Sequence, residues 1–183
     1  MNKAPLVLSA VLPLAIARGA GAVEQEHQLG LDVGVPILTI ADKATPDVGA
    51  AFGLHYGYGI TDQFNLLIEA QYALLALAAD NKGDPPTHPA QLWNADVGAT
   101  YVLDVLRWVP YFGALAGAYV MTGGTLASPL FMPGGQLVVG LDYLVTPKWA
   151  VGFEFSEHFL LTELSLYTSY TTGFARTEFR WGK

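Results

Sequence analysis

Between Phe52 and Leu74 the chain alternates, breaks for four residues, and alternates again. Ahead of the break Phe52, Leu54, Tyr56 and Tyr58 share one parity, with Gly53, His55, Gly57 and Gly59 between them. After it Phe64, Leu66, Ile68, Ala70, Tyr72 and Leu74 share a parity, and Asn65, Glu69 and Gln71 lie opposite. Side chains of a strand point alternately to its two faces, so this period predicts a β-hairpin. The strands are about twice the usual ~5–6 residues of soluble sheets. An apolar outer face, a small or polar inner face and aromatics beside the turn form the pattern of a transmembrane β-barrel.

The unit recurs. Tyr58, Thr61, Phe64 and Glu69 have the same spacing as Tyr143, Thr146, Trp149 and Glu154. The rest of the chain divides in the same way. Strand 1 follows a polar lead, Glu24 to His27, with Leu29, Leu31, Val33 and Val35 outward and Pro36 marking its end or an edge. Strands 2 and 3 are placed at 47–60 and 64–77, strand 4 at 91–103 and strand 5 at 108–121. In strand 5 Phe112, Ala114, Ala116 and Val120 are taken as outward. Strand 6 is placed at 135–145, strand 7 from Trp149, and strand 8 at 167–181. Residues 122–133 read as a loop, and 157–166 as a loop or strand extension. Apolar residues there (Leu126, Leu130, Phe131, Met132, Phe159, Leu160, Leu161) fit either longer strands or a hydrophobic contact surface. The expected fold is an all-β, eight-stranded antiparallel up-and-down transmembrane β-barrel. Its turns are short on the periplasmic side, its loops longer on the extracellular side. An even strand count lets the first strand pair with the last and leaves no open edge in lipid.

Composition agrees. Only 14% of the 183 residues are charged, against ~25% in soluble domains. Mean hydropathy is +0.34, yet beyond the N-terminus no apolar run approaches the ~18 residues of a spanning helix. The N-terminus reads as a signal peptide over 1–22: Lys3, an apolar stretch from Ala4 to Ile16, and a small-x-small site at Ala20-Gly21-Ala22. The barrel domain is then 23–183. Its seven basic and 16 acidic residues leave a net charge of −9, which argues against a nucleic-acid partner. The chain has no cysteine, so neither a disulfide nor lipid attachment is available.

Alternating strands, Thr-based turns and an aromatic-ended last strand resemble the small bacterial outer-membrane β-barrel superfamily, the OmpA-like transmembrane domain, OmpX and OmpW type. The resemblance implies export to the outer membrane, contact with outer-membrane lipids and lipopolysaccharide, and insertion by the barrel assembly machinery. Barrels of this group commonly end on an aromatic read by that machinery; here Trp181 is followed by Gly182 and Lys183.

The inward parity collects Asp32, His55, Glu69, Gln71, Asn94, Asp96, Asp142, Glu154, Arg176, Glu178 and Arg180. An eight-stranded lumen is just wide enough to be filled by side chains. The set therefore reads as a packed ionic network, with Arg176 and Arg180 shared among Glu69, Glu154 and Glu178. A gated path for small or hydrophobic solutes, as in OmpW-like proteins, is the alternative. Tyr56, Tyr58, Phe64, Tyr101, Trp108, Tyr143 and Trp149 fall beside the short turns as an interfacial girdle. No catalytic, cofactor or metal site is expected. Barrel enzymes such as the lipid A deacylases use a His-x-Ser arrangement, and none of His27, His55, His88 and His158 has Ser two residues on. Glu154, Ser156 and His158 share one face of strand 7 at a spacing of ~6.5–7 Å per pair, too long for a triad by itself. A soluble lipocalin-like barrel would reverse the two faces and put the polar parity on the surface.

Overall fold

A computed structural model of the protein describes residues 25–41, 45–76, 88–103 and 105–182. The expected signal peptide and the segment 77–87, which includes Asp80 and Asp84, lie outside these residues. Eight strands are present: β1 (His27–Ile40), β2 (Asp47–Gly59), β3 (Phe64–Ala76), β4 (Gln91–Val102), β5 (Trp108–Thr122), β6 (Leu130–Thr146), β7 (Trp149–Leu160) and β8 (Tyr167–Trp181). Each pairs antiparallel with its neighbour in sequence, and β1 pairs with β8 from His27↔Trp181 onward, so the sheet closes. Closure satisfies every strand edge, which a sheet in hydrocarbon requires.

The exposure pattern decides between the two kinds of barrel. Large apolar side chains face outward: Leu31 is 61% exposed, Phe153 72% and Phe131 73%. Charged ones face inward: Glu69 is 2% exposed, Arg176 6% and Arg180 5%. A water-soluble protein is built the other way round. On β3 the apolar face runs from Phe64 to Leu74. About ten steps of ~3.3 Å, tilted by ~40°, span roughly 25 Å, the height of the apolar band of such barrels.

The repeated turns have one local cause. Thr61 Oγ1 accepts from the backbone N–H of Gln63 (3.3 Å) and of Phe64 (3.1 Å). Thr146 Oγ1 accepts from Lys148 (3.2 Å) and Trp149 (3.1 Å) in the same way. A Thr hydroxyl opening a tight turn holds N–H groups that the ladder cannot reach.

The start of β6 differs from expectation, and two open alternatives are resolved. Pro36 does not end β1. Lacking an N–H, it leaves the β1–β2 ladder open at Val35 and Pro36. Pairing resumes in register at Ile37↔Val48, while the β8 side continues through Pro36↔Thr172. β6 starts at Leu130, ahead of its expected start at 135, and β7 runs on to Leu160, which is the strand extension and not the loop. The apolar residues of these segments are thus strand: Met132 and Leu160 point inward, Phe131 and Phe159 outward. The outward set expected for β5 matches what is observed, with Tyr111, Leu115 and Tyr119 turned in.

The lumen is stacked in layers. The loop end is apolar: Leu38, Ile40, Leu75, Leu92, Tyr119, Met121, Met132, Leu160, Tyr167, Tyr170 and Phe174 are all buried in one cluster, with Leu126, Leu130 and Leu166 against it. The loops above are tied together through His88. Its ring contacts Asp47 closely, its N–H donates to Thr125 Oγ1 (2.9 Å), and its carbonyl accepts from Thr125 N–H (2.9 Å). Below the apolar plug lies a layer rich in amides and carboxylates, and below that an ionic layer reaching the turn end.

Candidate functional site

The inward glycines make room for the ionic layer. A Cβ on Gly30 would fall 2.1 Å from the His55 ring, and one on Gly140 2.1 Å from Tyr111 Cζ. These two side chains are laid over bare backbone on a neighbouring strand, which makes room for bulk inside an eight-stranded barrel.

Acidic and basic side chains alternate along that layer. Arg176 contacts Glu154 and the Tyr111 hydroxyl closely through Nη1, and its Nε lies 3.5 Å from Asp32. Tyr111 donates to Glu154 (2.9 Å), and the Arg176 guanidinium sits 5.3 Å from the Tyr111 ring centroid. His55 has Nδ1 2.8 Å from Asp32 and Nε2 3.4 Å from Glu178. Arg180 continues the chain, with Glu178 at 3.4 Å and Glu26 at 2.8 Å. One connected network therefore runs Glu154, Arg176, Asp32, His55, Glu178, Arg180, Glu26. Burial makes each member depend on its partners, since a lone charge there would be strongly destabilising.

This corrects the expected sharing in one respect. Glu154 and Glu178 do pair with the arginines, but Glu69 does not. The Arg176 guanidinium is taken by Glu154, Tyr111 and Asp32. Glu69 instead accepts from Gln136 Nε2 (2.6 Å) and Gln71 Nε2 (3.3 Å). Asp96 accepts from Asn94 (2.6 Å). Asp142 lines a small void of about 20 Å³ beside Gln28, Tyr111, Arg176, Glu178 and Arg180, room for about one water molecule. Tyr111, Gln136 and Glu26 join the network without having been assigned to it beforehand. Glu26 precedes β1, and the cross-lumen reach of Tyr111 and Gln136 depends on which strands face each other.

Ser156 and His158 are not a catalytic pair. Ser156 donates to Glu154 (3.4 Å), whereas the His158 ring hydrogen-bonds Tyr119 (3.0 Å) and Thr172 (3.1 Å). Nucleophilic catalysis needs the hydroxyl on the base. Among the described residues no group of three or more His, Cys, Asp or Glu side chains is placed to hold a metal ion.

The girdle aromatics all sit at the turn end. Phe64 meets Tyr101 (5.1 Å between ring centroids) and Tyr101 meets Phe112 (5.5 Å); Trp108 meets Tyr143 (4.7 Å) and Trp149 meets Phe179 (5.1 Å). Tyr56 and Tyr58 pack around His27, which stacks on Trp181 at 5.4 Å. The belt joins the first strand to the last at the barrel seam.

Residues 7–175 match the family described as "Outer membrane protein beta-barrel domain". The chain belongs to this family. It is a bacterial outer-membrane barrel, and the neighbouring folds agree. Neisserial surface protein A (NspA) is 16% identical with a TM-score of 0.59, over 84% of this chain and 95% of that one. The N-terminal β-barrel domain of OprF from Pseudomonas aeruginosa is 14% identical with a TM-score of 0.62, over 86% and 98%. OprG from the same organism is 10% identical with a TM-score of 0.56, over 87% and 98%. At such identities the likeness is one of fold. No curated protein matches this outer-membrane barrel.

Proposed function

We propose that this barrel has a structural or interaction role at the cell surface and does not conduct solutes, its lumen being filled by its own side chains. Fold alone does not assign a role, because barrels of this shape serve several. The observation that carries the reading is the apolar plug. Leu38, Leu92, Tyr119 and Met121 are 0% exposed, and Ile40, Leu160 and Tyr170 only 1%. A conducting path would have to part these side chains at the outer end and then cross the buried Arg176 and Arg180 pairs. On this reading the outward apolar faces contact outer-membrane lipid and lipopolysaccharide, the surface loops carry the interactions, and the aromatic end of β8 is the segment presented to the barrel assembly machinery. The test is osmotic swelling of vesicles carrying the purified barrel, with glycine and glucose as solutes. The expected swelling rate equals that of protein-free vesicles. A faster rate that falls with solute size supports the narrow-channel alternative and overturns the proposal.

A further inference from the structure

The lipid-facing wall is concave across β2 to β5. Ala70 on β3, Ala95 on β4 and Ala118 on β5 are partners in register, and all three point outward. Leu54 of β2 ends their row. The next row towards the loops holds Phe52, Tyr72, Trp93 and Val120. Methyl groups beside large side chains leave a groove of about 530 Å³. Crossing three strand spacings, it is ~14 Å long. Tyr72 and Trp93 form its upper rim, with ring centroids 4.1 Å apart.

Height on the barrel fixes what the groove meets. Counted towards the loops, Tyr72 is the eighth residue beyond Phe64 of the girdle, and Trp93 the eighth beyond Tyr101. At ~3.3 Å per residue and ~40° of tilt, the rim stands about 20 Å above the girdle, in an apolar band ~25 Å tall. The groove therefore opens to outer-leaflet hydrocarbon, with its rim near headgroup level. β2 to β5 contain no Lys or Arg, and their acids Asp47, Glu69 and Asp96 are buried. This face offers no charge to an ionic partner. The rim does carry two donors, the Tyr72 hydroxyl and the Trp93 indole N–H. Among the described residues neither is hydrogen-bonded within the protein. Tyr and Trp suit this level because the ring stays in hydrocarbon while the polar end bonds outside it.

We propose that this groove binds one acyl chain of a lipopolysaccharide molecule, with the Tyr72 hydroxyl and the Trp93 N–H donating to the carbonyl that joins the chain to its headgroup. The groove is continuous with the wall that already meets lipid, and it opens on the leaflet that holds lipopolysaccharide. A second barrel is the poorer occupant. A concave strip of ~14 Å by ~7 Å offers on the order of 100 Å², against ~800 Å² from each partner of a stable interface. The site rests on the lipid contact proposed above and lies outside the lumen, so it is independent of whether the barrel conducts.

The experiment adds equal molar amounts of deep-rough lipopolysaccharide and phosphatidylethanolamine to the full barrel folded in detergent. Bound lipid is identified and counted by native mass spectrometry. Folding is checked by the mobility shift between heated and unheated samples on gels. The expected result is one lipopolysaccharide per wild-type barrel. Ala95→Leu/Ala118→Leu fills the groove from outside the core and should retain at least fivefold less. Tyr72→Phe/Trp93→Phe keeps the walls, removes both donors and should also retain less. Ala175→Leu, on the outward face of β8, should match wild type. Equal retention by wild type and the folded groove-filled variant overturns the site. Wild-type protein that holds no lipid, or phosphatidylethanolamine in place of lipopolysaccharide, overturns it as well.

Discussion

Arg176 is the residue on which most of the ionic layer converges, touching Glu154, Tyr111 and Asp32 from a fully enclosed position. Replacing it with Met keeps bulk and removes charge, leaving Glu154 and Asp32 short of a partner. Loss of one side of a buried pair costs about 3–5 kcal/mol. Arg176→Met is therefore expected to lower unfolding stability by that amount in urea titrations of the barrel in lipid vesicles, and adding Glu154→Gln should restore about half of it. A double variant no more stable than the single one would show that Glu154 is not the dependent partner. At this scale the sequence was partly readable. Parity placed Asp32, His55, Glu154, Glu178 and Arg180 inside, because alternation is a local property. It could not assign partners, which depend on register between β1 and β8 and on reach across the lumen. Glu69 illustrates the difference: its inward direction followed from the hairpin, while its amide partners Gln71 and Gln136 did not.

The twin turns are the clearest element-level feature. Thr61 and Thr146 each receive two backbone N–H groups at the start of a tight turn. These hydrogen bonds are exposed, so each is worth the lower part of the ~0.5–1.5 kcal/mol range. Thr61→Ala and Thr146→Ala should each cost about 0.5–1 kcal/mol, additively, since the turns share no partner. A double variant much worse than the sum, in the same urea titration, would mean the turns are coupled. Proline misled the reading of element length. Pro36 suggested a strand end or an edge and Pro133 a loop residue, yet both lie within ladders, Pro36 opposite Thr172 and Pro133 opposite Ala118. Backbone breakers are local signals, whereas the closing strands on either side hold the chain extended through them. The same override lengthened β6 into a segment that looked like loop, and for β7 it chose extension over loop.

For the whole molecule, inside and outside are exchanged relative to a soluble barrel, and that exchange was legible from alternation and low charge together. The division of the lumen into an apolar outer plug and a polar inner portion was not. Leu38, Leu92, Met132 and Leu160 belong to four separate strands, and only closure brings them into one cluster. The central claim is that this cluster seals the barrel. Planar-bilayer recording of the purified protein tests it most directly, comparing wild type with Tyr170→Ala/Phe174→Ala, which trims the plug from β8. The account predicts that wild type shows no single-channel steps and that the trimmed barrel gains small, steady ones. Steady channels in wild-type protein, unchanged by the trimming, would contradict it.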